Sequence, residues 1–407
     1  MITQKRDLRT GRPYWLSRPM PRVPVRKLAR DAKTDVLVIG AGISGALIAE
    51  ALSSDHEVMV ADRRGPVLGS TPASTALVEY EIDTPLIELA KKIGRERAMR
   101  AWQRSRLAVT ALADRTRALG IDCDMVRRDS LYLAGNVLDA ADLREEGEAR
   151  RAAGLETKYL TRNALRDRFG IDRKAALLAF DDIAVDPRRL ASGHLRVAIE
   201  RGATIYAPVE VTGIETSRDG VVAATKEGPA IRCRQLIYAT GYELPSFLKL
   251  KTHRIASTYA IATRPQPRRL WPEECFIWEA SDPYLYMRTT PDGRVICGGE
   301  DEDFSDDEKR DALIPKKVKA IRRKLARLLP GLDTTPEFAW AGAFGVSDTG
   351  LPLIGAVPGM PRCLVAHGFG GNGFTYSRIA ADIIRAALSG REDPDAGLYE
   401  LGGNDLA

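Results

Sequence analysis

The chain is most informative at Val36-Leu37-Val38-Ile39-Gly40-Ala41-Gly42-Ile43-Ser44-Gly45, followed by small residues that include Ala46, Ala49 and Ala51, and then by Val58-Met59-Val60-Ala61-Asp62. Four consecutive apolar residues, 36–39, predict a strand buried on both faces, as in a parallel sheet flanked by helices. Gly40 permits the tight turn from strand to helix, Gly42 leaves room for a pyrophosphate, and Gly45 lets the helix pack closely on the strand. The phosphates then lie at the helix N-terminus, where unpaired N–H groups and the macrodipole favour an anion. Asp62 stands 22 positions after Gly40. There a carboxylate accepts hydrogen bonds from both ribose hydroxyls and repels a 2′-phosphate. Strand, turn, helix and acid together predict a dinucleotide site.

The 407 residues suffice for two domains, or for one large domain with an inserted region. With 44% hydrophobic residues and no low-complexity run, a soluble globular protein is expected. The net charge of +6 suits anionic small ligands or loose attachment to an acidic surface, and falls short of a nucleic-acid binder. Cys123, Cys233, Cys275, Cys297 and Cys363 are odd in number and show no CxxC, which argues against a zinc site or a disulfide framework and for the cytoplasm. No metal is expected. No run of about 18 uncharged apolar residues marks a membrane span. Residues 1–33 are rich in Arg and Pro and lack the apolar core of a secretory signal. They read as an extended arm with Tyr14 and Trp15 tucked in, or as a segment that docks on a partner or peripherally on the inner membrane.

Beyond Asp62 and Arg63, the segment Gly69-Ser70-Thr71-Pro72-Ala73-Ser74-Thr75-Ala76-Leu77 offers hydroxyls and N–H groups to phosphates or a ring edge, and reads equally as an ordinary polar loop. From 83 to 120 the pattern is helical, with Asp83 as a cap and Pro85 near the start. Strands are predicted at 130–134, 176–180, 204–206 and 209–215. Helices are predicted at 138–153, at 161–169 behind Thr161, and from Asp186-Pro187 to Gly202. A second excursion, 251–330, carries strands at 256–263, 276–279, 284–288 and 294–297, with Pro291-Asp292-Gly293 as a hairpin turn and a basic helix from about 307 to 329. An antiparallel sheet is the natural assignment.

Two further segments face a nucleotide. Leu236-Ile237-Tyr238-Ala239-Thr240-Gly241 is an apolar strand ending in small residues, suited to lie against a cofactor at the crevice of a parallel sheet. After Gly345 and the strand at 364–366, the turn His367-Gly368-Phe369-Gly370-Gly371-Asn372-Gly373 opens a helix through Phe374, Thr375 and Tyr376. Such a helix start stabilises the negative charge that a reduced flavin carries near N1 and the C2 carbonyl. Glycine turns at both ends of the chain suit a long cofactor, FAD rather than NAD.

In this order the motifs resemble the D-amino-acid oxidase-like FAD-dependent oxidoreductases, a group that contains glycine oxidase, sarcosine oxidase, D-amino-acid dehydrogenase and glycerol-3-phosphate dehydrogenase. The resemblance spans roughly 35–388. It implies an α/β chain, α+β overall, with a discontinuous Rossmann-like FAD-binding domain and an antiparallel-sheet substrate domain. The corresponding bounds are 1–33 for the arm, 34–80 with 185–250 and 335–390 for the FAD half, 81–184 with 251–334 for the substrate half, and 391–407 for a tail. It also implies phosphates on the Gly40-to-Gly45 turn and ribose on Asp62, with the backbone near Val209 or Val211 on the adenine. Ser70, Thr71, Ser74 and Thr75 lie toward pyrophosphate and flavin, Ala239, Thr240 and Gly241 against the cofactor, and Gly370, Gly371, Asn372, Gly373, Phe374 and Thr375 at the pyrimidine edge. Where some relatives place a flavin-linking His the chain has Ala73, so non-covalent FAD is expected, with Cys297 and Cys363 read as buried, inert thiols.

Arg288, on Tyr284-Leu285-Tyr286-Met287-Arg288, resembles the arginine that grips a substrate carboxylate, and also reads as a sheet arginine paired with Asp301 or Glu302. Tyr259 and Tyr286 are candidates to cap the substrate, or packing residues, and His367 to orient backbone at the flavin loop. The expected reaction is oxidation of a small amine or amino acid by hydride transfer to flavin N5, with oxygen, a quinone or an electron-transfer protein as acceptor. A hydroxy-acid or polyol-phosphate dehydrogenase, and a non-catalytic FAD-binding subunit, are the alternatives.

Overall fold

Two sheets organise the computed structural model, which describes residues 2–248, 250 and 253–401. Residues 251 and 252 at the start of the second excursion, and the tail beyond 401, lie outside the described residues. The first sheet is built on parallel strands in the order Thr204–Tyr206, Val58–Ala61, Ala32–Ile39, Ile231–Tyr238 and Cys363–His367, with Leu353–Ala356 antiparallel at one edge. Its central strands are buried on both faces: Ile43–Leu52, Pro187–Glu200 and Gly373–Leu388 share one apolar core with them on one side, and the antiparallel strands Val211–Thr216 and Val221–Thr225 cover the other. This is a Rossmann-like arrangement with its helices on one face. In its register Ile39 pairs with Ala61 and Tyr238, so the carboxyl ends of these strands and the turns that follow meet at one edge.

Two close contacts fix that edge. Gly40 has φ +111°, and a Cβ there would overlap the Ala239 carbonyl oxygen; a Cβ on Gly45 would overlap the Gly40 carbonyl oxygen. Both positions therefore require glycine. His367, fully buried, places Nδ1 2.7 Å from the Gly241 carbonyl oxygen and Nε2 3.2 Å from Thr240 Oγ1, which locks the turn after Ile231–Tyr238. Burial pushes its imidazole down to about 4.

The second sheet has ten strands. They run in the order Arg9–Gly11, Pro336–Ser347, His253–Thr263, Val295–Glu302, Leu285–Thr289, Phe276–Glu279, Val126–Leu133, Ala175–Ala184 and Leu77–Val78, with Thr157–Thr161 also on Ala175–Ala184. It is antiparallel except where Phe276–Glu279 runs parallel to Val126–Leu133. The predicted hairpin forms, with Gly293 at φ +77° and Thr289 opposite Val295. Helix Asp307–Leu328 covers one face of the sheet, capped by Asp306, which accepts from the Lys309 N–H at 2.9 Å. Asp186 caps Pro187–Glu200 as expected, accepting from Arg188 and Arg189 N–H.

Two details differ from the sequence reading. The twelve-residue strand Pro336–Ser347 lies in the ten-stranded sheet, as do Arg9–Gly11 and Leu77–Val78, although the bounds above put these segments elsewhere. Its Ala- and Gly-rich sequence has weak strand propensity, and pairing on both sides supplies the order. Asp83 caps no helix: Leu86–Ile93 begins at Pro85, and the buried Glu146 accepts from Leu86 and Ile87 N–H at 3.0 Å. In the arm, Tyr14 and Trp15 are tucked in, as the first of its two readings expects, with Trp15 Nε1 donating to the Ser74 carbonyl at 2.7 Å.

Trp15→Ala is expected to cost about 3–5 kcal/mol, and Trp15→Phe about 1 kcal/mol through the lost hydrogen bond, read from urea unfolding midpoints. The His367 imidazole binds its proton less tightly in the native than in the unfolded chain. Stability therefore falls as pH drops from about 6.5 to about 4, by at most about 3 kcal/mol. Melting temperature against pH should lose that slope in His367→Gln.

Candidate active site

Two clefts open along the carboxyl edge of the parallel sheet, of about 740 Å³ and about 1070 Å³. Both are lined by Ile43, Ser70 and Thr71, so they form one continuous groove. The smaller is lined by Gly40, Gly42, Ser44, Asp62, Arg63, Val209, Ala239, Thr240 and Gly241. The larger holds Ser74, Thr75, Gly370, Gly371, Asn372, Gly373 and Phe374. The groove thus joins residues more than 300 positions apart.

The chain makes each wall for a local reason. Asp62 holds the first turn: Oδ2 accepts from Ala41 N–H, and Oδ1 from Arg64 and Gly65 N–H, all at 2.8 Å. Arg63 and Arg64 both pair with Glu243, a buried acid on the same wall. Thr71 Oγ1 accepts from Ile43 N–H at 3.1 Å, and no side chain caps Ile43–Leu52, which leaves the next N–H groups of its first turn to the groove. Helix Gly373–Leu388 likewise has no side-chain cap, and a Cβ on Gly373 would meet nothing within 4 Å. Two uncapped helix starts on one long groove, with open space before the second, fit a dinucleotide carrying a ring that bears negative charge.

The segment 79–83 closes the groove. Asn372 Nδ2 donates to the Glu81 carbonyl at 2.8 Å, Thr375 Oγ1 to the Glu79 carbonyl at 2.7 Å, and Gly371 N–H to Asp83 Oδ2 at 2.9 Å. Glu79 and Asp83 line the cleft. Desolvation lifts both carboxyls above the usual carboxylate range, and the neighbouring Glu81 raises Glu79 further. Behind them Glu81 and Asp182 are buried and raised by the same cause, with Arg150 Nη1 3.8 Å from Glu81 acting in the opposite sense. The opposite wall comes from the ten-stranded sheet: Thr258, Trp278, Tyr284, Tyr286 and Phe344. Tyr242 joins them from the turn after Ile231–Tyr238, its hydroxyl donating to the Gly370 carbonyl at 3.0 Å.

Five candidates named from the sequence, Arg288, Tyr259, Gly345, Thr375 and Gly45, do not line the groove. Arg288 is 2% exposed and donates to the carbonyls of Thr289, Ala76 and Val185 at 3.0, 2.6 and 2.9 Å, so its fork is occupied by backbone and turned from any substrate. Tyr259 lies on the far face of its strand, in the core beneath helix Asp307–Leu328. Gly345 packs toward the Tyr242 ring. Thr375 is buried and acts on the Glu79 carbonyl. Gly45 serves packing. Cys297 and Cys363 are buried and line neither cleft.

The sequence reading missed Glu79, Asp83, Tyr242, Trp278 and Glu243. A signal for two of them exists: in Glu79-Tyr80-Glu81-Ile82-Asp83 the acids alternate with Tyr80 and Ile82, both core residues, as an extended segment against a core requires. Trp278 carried no such mark, because its place depends on strand pairing between distant segments.

A family model described as FAD dependent oxidoreductase, DAO, matches residues 35–387. Monomeric sarcosine oxidase of Streptomyces avermitilis is 25% identical over 394 residues, 90% of this chain and 96% of that one. The crystal structure of glycine oxidase from Geobacillus kaustophilus superposes with a TM-score of 0.74 at 21% identity, over 92% of this chain and 99% of the other. The L-α-glycerophosphate oxidase of Mycoplasma pneumoniae, solved with FAD bound, gives 0.73 at 17% identity, over 91% and 99%. With a family match that spans most of its length and a groove that fits the cofactor, the chain belongs to the DAO family of FAD-dependent oxidoreductases.

Proposed function

We propose that this enzyme oxidises the C–N bond of a small amine or amino acid. The observation that carries this reading is the pair of carboxylates, Glu79 and Asp83, on the cleft wall beside the turn at 370–374. An amine arrives protonated at neutral pH; a carboxylate attracts it and can hold the proton that the nitrogen must give up. When bound, the flavin supplies the hydride acceptor at N5, and the oxidised product is an imine that water hydrolyses. The first-turn N–H groups of Gly373–Leu388 stabilise negative charge at the pyrimidine edge. Tyr242 holds the Gly370 peptide of that turn in place, and the aromatic wall excludes water.

A polyol phosphate or hydroxy acid would bring an anion against the same two carboxylates, with no Lys or Arg on the described wall to meet it. Among the described residues neither cleft is lined by Cys or His, which supports FAD held without a covalent link. The two sheets support a division into an FAD half and a substrate half, with Arg9–Gly11, Leu77–Val78 and Pro336–Ser347 counted with the substrate half. Among the described residues no helix is long and apolar enough to cross a membrane, and no cluster of His, Cys, Asp or Glu is arranged to hold a metal ion.

Under anaerobic conditions amines are expected to bleach the flavin absorbance while hydroxy acids and glycerol phosphate leave it intact; bleaching by the hydroxyl compounds alone overturns the reading. Asp62→Ala removes the acceptor of three N–H groups. It should weaken FAD binding by about tenfold to a hundredfold, read as flavin fluorescence released on dilution.

A further inference from the structure

We propose that the substrate is an amine without a carboxylate, whose cationic end is received by Glu79 inside a box of aromatic rings. This rests on the amine-oxidising reading above and narrows it.

Tyr242, Trp278, Tyr284, Tyr286 and Phe344 contribute five rings to one cleft. Ring faces attract ammonium groups through their quadrupoles, and enclosed aromatic walls with an acid are the usual receptor for organic cations. Glu79 is built into that wall: Trp278 Nε1 donates to Ser130 Oγ at 3.0 Å, and Ser130 Oγ donates to Glu79 Oε1 at 3.2 Å. Among the described residues neither Glu79 nor Asp83 forms an ion pair with a Lys or Arg, although the chain carries 61 basic residues. The two acids facing the cleft are thus left without a basic partner, for a cationic ligand to meet.

A second observation points the same way. Asn372, more than nine-tenths buried on the cleft wall, uses Nδ2 on the Glu81 carbonyl, and its Oδ1 has no partner. It is an acceptor without a donor, beside two carboxylates that each accept one hydrogen bond from the protein. A carboxylate entering here would face three acceptors and no guanidinium, because Arg288 is held by backbone carbonyls elsewhere. A diamine meets the requirement fully: one nitrogen stays protonated on Glu79 while the other, neutral, presents its α-carbon for oxidation.

The test uses the FAD-loaded enzyme and two inert probes, tetramethylammonium and acetate, followed by the flavin difference spectrum and by calorimetry. Tetramethylammonium should bind saturably and acetate should not, and 1,4-diaminobutane should bleach the flavin anaerobically where N-methylglycine does not. Glu79→Gln should weaken tetramethylammonium by about tenfold to a hundredfold, as expected for one hydrogen bond or contact with a charged group. Trp278→Leu should weaken it independently, which keeps the test open if the first variant loses FAD. Acetate binding as tightly as tetramethylammonium, or N-methylglycine bleaching the flavin where the diamine fails, overturns the proposal and leaves amine oxidation standing. Tetramethylammonium binding that depends on Glu79, with no amine bleaching the flavin, leaves the cation site standing and overturns amine oxidation.

Discussion

Three hydrogen bonds between segment 79–83 and the turn at 371–375 make one groove out of two sheets. The donors are a side-chain amide, a hydroxyl and a backbone N–H, all from the last helix and its approach. The acceptors are two carbonyls and a carboxylate on the chain that has just left the edge strand Leu77–Val78. The two sheets also share an apolar core, and Trp340 Nε1 bonds the Ala73 carbonyl; the seam sets the spacing where the glycine turn at 370–373 meets the aromatic face. Because two of the acceptors are backbone carbonyls, the seam fixes position while leaving the Glu79 side chain, and one carboxylate oxygen of Asp83, to the cleft.

The electrostatics follow from that placement. Glu81 and Asp182 are buried, while Glu79 is half-buried and Asp83 borders the open cleft; desolvation raises each of the four above its ordinary range. Arg150, itself fully buried and stacked over Trp102 at 4.5 Å, is the fixed counter-charge. It bonds to Glu146 at 2.7 Å, so its charge is already shared before it reaches Glu81. A region with more buried acids than buried bases is costly to maintain, and such imbalance is found where a ligand completes the charge.

Much of the nucleotide half was legible in the sequence because its signals are local. The apolar run 36–39, Gly40 and Gly45, the acid at 62 and the turn at 370–373 each follow from contacts within a few residues or from a requirement on one backbone angle. Asp186 with Pro187 was legible for the same reason. The substrate half was legible as strands but not as a site. Arg288 and Tyr259 lie on recognisable strands, yet which face meets the cleft depends on pairing across the sheet, and here both residues point away from it. Asp83 looked like a helix cap because Pro85 follows it; the buried Glu146, some 60 residues further on, took that role instead. Strand Pro336–Ser347 was missed because alanine and glycine hide a strand whose order comes from its neighbours.

The pairing of Arg9–Gly11 with Pro336–Ser347 has a consequence for biosynthesis. Arg9–Gly11 and its partner strand lie more than 300 residues apart in sequence, so the strap cannot close until Pro336–Ser347 has been synthesised. Such long sequence separation between touching segments slows folding.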